Sequence, residues 1–217
     1  MGSRHFLFDL DGTLIDSAPS ILECYRLVLN QFSIHPKLPL ANSLIGPPLG
    51  ATLRLISGVA DEMRIAEMTE AFKAHYDTTG VEQSIAYPGI DAFLKKSHAQ
   101  NQKLYIVTNK RVAAARKILD FLNWSAYFDG VYAQDAFNPS LPSKAAVIEH
   151  VLSAHSIPKS EAIYVGDRNE DGEAAHANEL KFVWVTWGYR DLASMTNAPF
   201  EYETAQSMSD LESYSSW

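Results

Sequence analysis

Phe6-Leu7-Phe8-Asp9-Leu10-Asp11-Gly12-Thr13-Leu14 is an apolar run that ends in two carboxylates one residue apart, followed by Gly and Thr. The run predicts a strand buried on both faces, as in a parallel sheet. Gly12 can adopt the backbone conformations that end a strand. Asp9 and Asp11 are then expected at the carboxyl end of that strand, where open α/β sheets bind their ligands. Carboxylates this close repel each other, and a divalent cation or a shared proton relieves the repulsion. Asp9, pointing into such a site, is a candidate nucleophile. Asp11, on the turn, is a candidate general acid and base. A plainer reading competes at this point: one Asp capping the next helix beside a solvated Asp.

Working outward, Ser17 or Asp16 can cap a helix with Pro19 in its first turn. Ile21, Leu22, Tyr25, Val28, Leu29 and Phe32 recur there at helical spacing. Ile45-Gly46-Pro47-Pro48-Leu49-Gly50 predicts a stiff turn, followed by a helix that Gly58 stops. Asp61 caps a further helix that runs past Tyr76 to Gly80. No strand is expected from about Asp16 to Ala86. Residues 16–86 therefore read as a helical domain inserted into a second domain made of 1–15 and 87–217. Beyond Tyr87, strands expected at 104–109, 128–133, 162–167 and 182–187 alternate with helices at 90–98, 112–122, 143–154 and 170–178. That alternation predicts right-handed βαβ units and a parallel sheet. The tail adds an expected short strand at 200–203 and a helix near 209–214.

Three more groups fall at expected strand or helix ends. Thr108 and Asn109 close the second strand, placed either to bind a phosphate oxygen or to cap the next helix. Lys144 opens a helix, where its charge works against the dipole, so a purely structural role suits it poorly. Lys110 and Arg111 are its rivals as the cation of a site. Asp167 and Asp171, four residues apart, can point into one site as hard oxygen ligands suited to Mg²⁺. They can equally serve as a cap and a first-turn acid favoured by the helix dipole.

Taken in order, Asp9-Leu10-Asp11-Gly12-Thr13-Leu14, Val107-Thr108-Asn109-Lys110, Lys144 and Gly166-Asp167-Arg168-Asn169-Glu170-Asp171 resemble the four signatures of the haloacid-dehalogenase superfamily. Val185-Thr186-Trp187-Gly188-Tyr189 and the Gly46-Pro47-Pro48-Leu49 turn are similar to segments of its phosphoglycolate-phosphatase-like members. This chain departs from many relatives in having Lys144-Ala145 where they carry Lys-Pro. The resemblance implies a Rossmann-like three-layer α/β/α parallel sheet with a small helical cap inserted after the first strand. It implies a Mg²⁺-dependent phosphatase of a small phosphorylated metabolite, acting through an aspartyl-phosphate. Asp9 and Asp11 are then catalytic, Thr108, Asn109 and Lys144 bind the phosphoryl group, and Asp9, Asp11, Asp167 and Asp171 hold the metal. A sugar phosphomutase, nucleotidase or pyrophosphatase of the same superfamily is the alternative. A haloacid dehalogenase is disfavoured by Asp11, and a non-catalytic binding protein by the full set of charged positions. Arg54 is a candidate cap residue for substrate contact, with a solvated helical arginine as the plainer reading.

Composition narrows the rest. A formal charge of −8 argues against a nucleic-acid or anionic-membrane surface. No apolar window is long enough for a membrane span, and no signal-peptide or myristoylation pattern opens the chain. The lone cysteine, Cys24, excludes an internal disulfide and reads as a small buried side chain in a reducing cytoplasm. A monomer or homodimer is expected. Gly2-Ser3 reads equally as native sequence or as a cloning remnant. The histidines show no metal-ligand spacing, and Trp124, Trp184 and Trp187 read as packing residues.

Overall fold

A computed structural model describes residues 5–189 and 198–214, so the question of Gly2-Ser3 lies outside the described residues. Strands β1 (His5–Phe8), β4 (Lys103–Thr108), β5 (Gly130–Ala133), β6 (Ala162–Gly166), β7 (Lys181–Val185) and β8 (Glu203–Ala205) form one sheet in the order β5-β4-β1-β6-β7-β8. Every pairing in it is parallel. The chain winds from β1 outward through β4 and β5, then returns past β1 to β6, β7 and β8. The winding direction thus reverses at β1, and the crevice at such a switch point lies beyond the carboxyl ends of the central strands. Asp9, Thr108 and Asp167 all stand at those ends.

The period-two pleat divides the core into two layers. Phe6, Phe8, Ile106, Val165 and Val183 face one side, and α4 (Ile90–Ala99), α5 (Val112–Phe121) and α8 (Met208–Ser213) pack into the core there. Leu7, Tyr105, Val107, Tyr164 and Trp184 face the other, against α6 (Lys144–Ala154) and α7 (Asn169–Ala177). Phe6, Leu7 and Phe8 are fully buried, and burying an apolar side chain of that size contributes roughly 1.5–3 kcal/mol. Phe93 meets both Phe6 and Phe8 edge-on at ring-centroid distances of 6.0 Å.

Between β1 and β4 lie α1 (Ala18–Gln31), α2 (Leu49–Ser57) and α3 (Glu62–His75). Gly58 ends α2 in the left-handed region at φ 71°, and Asp61 caps α3 by accepting from the Met63 and Arg64 amides. Past His75 the helix widens into a π turn over Tyr76–Gly80. Contrary to the strand-free segment expected from Asp16 to Ala86, its two ends pair. β2 (Ile15–Asp16) and β3 (Ile85–Ala86) form a two-residue antiparallel ribbon at the neck. Two residues are too few to show a period in sequence. The fifth strand of the sheet also ends earlier than 187: Thr186 and Trp187 leave it to form a loop beneath the site. Among the described residues no helix is long and apolar enough to cross a membrane.

Candidate active site

The turn after β1 is the floor of the site. The Asp9 amide still pairs with the Val165 carbonyl at 2.9 Å, so Asp9 is fixed by the sheet ladder. The chain then folds back on itself: the Leu14 and Ile15 amides both donate to the Leu10 carbonyl. Gly12 sits at φ +82°, and a Cβ there would lie 2.3 Å from an Asp167 carboxylate oxygen. Gly188 is as constrained, since its Cβ would meet the Gly12 carbonyl at 2.3 Å. The loops after β1, β6 and β7 therefore close on one another without room for a methyl group.

Asp9, Asp167 and Asp171 bring one carboxylate oxygen each within 4.8 Å of the others, and all three are buried. Lys144, at the first position of α6, bridges two of them, at 2.5 Å from Asp171 Oδ1 and 3.3 Å from Asp9 Oδ1. Burial alone would lower the Lys144 pKa, but Asp171 and Asp9 hold it well above the usual lysine value. Desolvation pushes Asp9 up to about 6, against the opposing pull of Lys144, with Asp171 adding to the rise. Asp167 is raised in the same way, by burial first and the neighbouring carboxylates second. Asp171 spends both oxygens on the protein: Oδ1 on Lys144, and Oδ2 on the backbone amides of Asp167 and Arg168 at 3.1 and 3.0 Å. Asp167 Oδ2 accepts from the Tyr189 amide at 2.7 Å. Asp9 Oδ1, by contrast, is buried with no hydrogen bond, because Lys144 approaches within ion-pair range but outside hydrogen-bonding geometry. An unsatisfied carboxylate oxygen beside further buried carboxylates suits a hard divalent cation, so the donor set fits Mg²⁺.

Asp11 stands apart from this trio. Its carboxylate receives Lys110 Nζ at 3.0 and 3.1 Å and the Ser17 hydroxyl at 2.5 Å. Lys110 also donates to the Tyr76 hydroxyl at 2.7 Å and lies 4.5 Å from the centre of that ring. Ser17 thus spends its side chain on Asp11, and Asp16 accepts from the Ala18 amide at the start of α1 instead. Of the residues expected in the site, Asp9, Asp11, Thr108, Asn109 and Lys144 line one cavity of about 110 Å³. Asp167 and Asp171 lie wholly buried beneath it. Thr108 accepts from the Lys110 amide at 3.1 Å and helps to lower the Asp9 pKa. Arg54 does not line the cavity: it pairs with Glu62 on the outer surface. Arg111 is tied to Asp77. The ceiling comes from the inserted helices, through Ile21, Tyr25, Leu49, Phe72 and Tyr76.

Three aromatic residues after β6 support the site in ways that their sequence pattern, which reads as packing, does not announce. Trp184 donates to the Asp167 carbonyl at 2.9 Å, and Trp187 donates to the Thr13 carbonyl at 3.0 Å. Tyr189 is a junction: its hydroxyl accepts from the Ser17 and Ala18 amides and donates to Asp16. The Trp187-Gly188-Tyr189 string is visible in sequence, but only the fold shows that it ties Asp167 to the start of α1. Cys24 is buried, with its thiol pushed up to about 11 by desolvation.

A family model described as haloacid dehalogenase-like hydrolase matches residues 6–185. The phosphoglycolate phosphatase of Aquifex aeolicus is 34% identical over 192 residues, which is 88% of this chain and 88% of that protein. The tyrosine-protein kinase PtkA of Mycobacterium tuberculosis is 33% identical over 184 residues, covering 84% of this chain and 62% of that protein. Among solved structures, a predicted phosphatase from Clostridium acetobutylicum superposes with a TM-score of 0.85 at 28% identity, over 99% of this chain and 98% of that one.

Proposed function

The chain belongs to the haloacid dehalogenase-like hydrolase family and is a phosphatase; from that membership we propose that it hydrolyses a small phosphorylated metabolite through a phosphoryl group carried on Asp9. The observation that supports this reading is the state of Asp9. It faces the cavity from a rigid strand end, with one buried oxygen unsatisfied and Lys144 alongside. Asp9 attacks phosphorus in line, and the bond to the leaving oxygen breaks. Lys144 and the Thr108 hydroxyl take up charge on the equatorial oxygens. Asp11 gives its proton to the leaving alcohol, then accepts one from the water that cleaves the aspartyl-phosphate. Asp9 and Asp167, with Asp171 behind them, would hold Mg²⁺, which supplies positive charge against the phosphoryl oxygens when bound. Asp171 already holds Lys144 and the loop, so its part is to fix those groups in place. The inserted segment, read as a cap domain over residues 16–86, closes the cavity against bulk water.

The size of the cavity favours a small ester such as the one named for the Aquifex relative. The test is phosphate release from a panel of phosphate esters, with Mg²⁺ and after exhaustive chelation. Mg²⁺-dependent release is expected. Full activity without a divalent cation would contradict the assignment, and isomer formation without free phosphate would point to a mutase.

A further inference from the structure

Resting on that reading, we propose that Arg168 determines substrate specificity: its guanidinium reads a carboxylate on the substrate's leaving group. Arg168 directly follows Asp167 and lines the cavity. Its Nη2 is committed to the inserted segment, donating to the Asn42 carbonyl at 2.9 Å and to the Ile45 carbonyl. Asn109 Nδ2 reaches the Gly46 carbonyl at 3.5 Å, so the 42–46 turn is laid across the strand ends from both sides. Gly46 has φ +111°, and a Cβ there would stand 3.5 Å from Arg168 Nε. The turn therefore passes the guanidinium with no side chain between them.

A guanidinium has five N–H donors in a planar fork. After the two carbonyls, those on Nε and Nη1 remain. Among the described residues no carboxylate lies within 4 Å of Arg168, whereas every other cation of the cavity is paired. Lys144 faces Asp9 and Asp171, Lys110 faces Asp11, and Arg111 faces Asp77. A phosphoryl group at Asp9 thus meets Lys144, and a second anionic group can find at Arg168 a cation held in no ion pair. Arg168 is half-buried, while Glu170 on the same rim is exposed and its opposing charge is screened by solvent. Ile21, Leu49 and Phe72 make part of the remaining wall apolar. A cavity of about 110 Å³ then fits the phosphate ester of a short hydroxy acid, whose carboxylate can accept one charge-assisted hydrogen bond from Nη1.

The experiment compares kcat/KM for 2-phosphoglycolate and for ethyl phosphate, which matches it in length but lacks the carboxylate. It is run on the full chain with Mg²⁺, for wild type, Arg168→Gln and Arg168→Lys. Wild type is expected to favour the carboxylate ester by roughly tenfold or more, the worth of one charge-assisted contact. Arg168→Gln should erase most of that ratio, chiefly through KM, and Arg168→Lys should restore part of it. A merely structural role would lower both substrates together and leave the ratio intact. An unchanged ratio in Arg168→Gln, or a wild type without preference, overturns the proposal while ethyl phosphate turnover leaves the phosphatase reading standing. A wild type that hydrolyses neither ester nor any aryl phosphate overturns both.

Discussion

Lys144 and Lys110 are both buried cations set against carboxylates of the β1 turn, yet they belong to differently built parts of the molecule. Lys144 contacts Asp9 and Asp171, and every partner sits on the sheet or a helix packed against it. Lys110 contacts Asp11 from the sheet side but shares its charge with Tyr76, which arrives on the π turn of the inserted helices. The first network is complete without the helical segment. In the second, the Lys110–Asp11 pair stands by itself, but its contacts with Tyr76 and Ser17 exist only while that segment lies over the strand ends. Under the proposed function the difference separates two tasks: Lys144 would serve the phosphoryl group wherever the inserted segment stands, and Lys110 would link the position of that segment to Asp11.

The largest effect that could break this comparison is on Lys144. Lys144→Ala leaves Asp9 and Asp171 buried without their cation and removes charge from the phosphoryl site. A loss of roughly a hundredfold or more in kcat/KM is expected, as for a partly desolvated group that stabilises transition-state charge. Kinetics on one substrate, with folding checked by thermal melts, measures it. Near-wild-type activity would return Lys144 to the role of a structural ion pair.

Lys110→Ala is expected to cost less, about tenfold, because Asp11 keeps the Ser17 hydroxyl. Tyr76→Phe sharpens the same point. It keeps the ring beside Lys110 but deletes the 2.7 Å hydrogen bond, so a loss of about two- to fivefold is expected. If Tyr76→Phe matched Lys110→Ala, the hydroxyl and not the charge would carry the link. If Lys110→Ala were the more crippled of the two lysine variants, the roles of the lysines would be exchanged.

The smallest effect concerns stability. An unfolded Asp9 titrates near the ordinary value of 3.8, and the folded one near 6. The folded state therefore binds the proton more tightly. Its contribution is fully present below the unfolded value and is lost as pH rises through about 6. Asp167 is shifted in the same direction. Metal-free protein should accordingly melt lower at about pH 7.5 than at about pH 5, by a few degrees. The difference should shrink in Asp9→Asn, and Mg²⁺ at the higher pH should restore stability to wild type. A melting temperature that rises with pH in the absence of metal would contradict the upward shift that burial imposes on Asp9.

Much of this frame is legible in the amino-acid sequence. The β1 turn, the strand-end positions of Thr108 and Asp167 and the helical segment follow from apolar runs, turn residues and spacing, because those signals are local. Lys144 is legible as an uncomfortable charge at a helix start, though its choice over Lys110 is not. That choice depends on which way two loops fold over one turn, and no local period encodes it. Asp11 is expected among metal ligands by proximity to Asp9, but β1 ends at Phe8 and the chain turns back at Leu10, so the Asp11 carboxylate meets Lys110 and Ser17 instead of the trio. The β2–β3 ribbon, the carbonyl contacts of Arg168 and the Tyr189 junction are illegible for the same reason. Each joins residues far apart in the chain through one or two hydrogen bonds, below what composition or periodicity can register.

The central claim, that Asp9 carries the phosphoryl group, is tested most directly by trapping it. Asp11→Asn should still accept a phosphoryl group from an aryl phosphate, whose leaving group needs no proton, but should release it slowly for want of a base. After acid quench, peptide mass spectrometry should find one phosphoryl group on the peptide containing Asp9, and none when Asp9→Asn is added. A phosphoryl group on another residue, or sustained turnover by Asp9→Asn, would contradict the account.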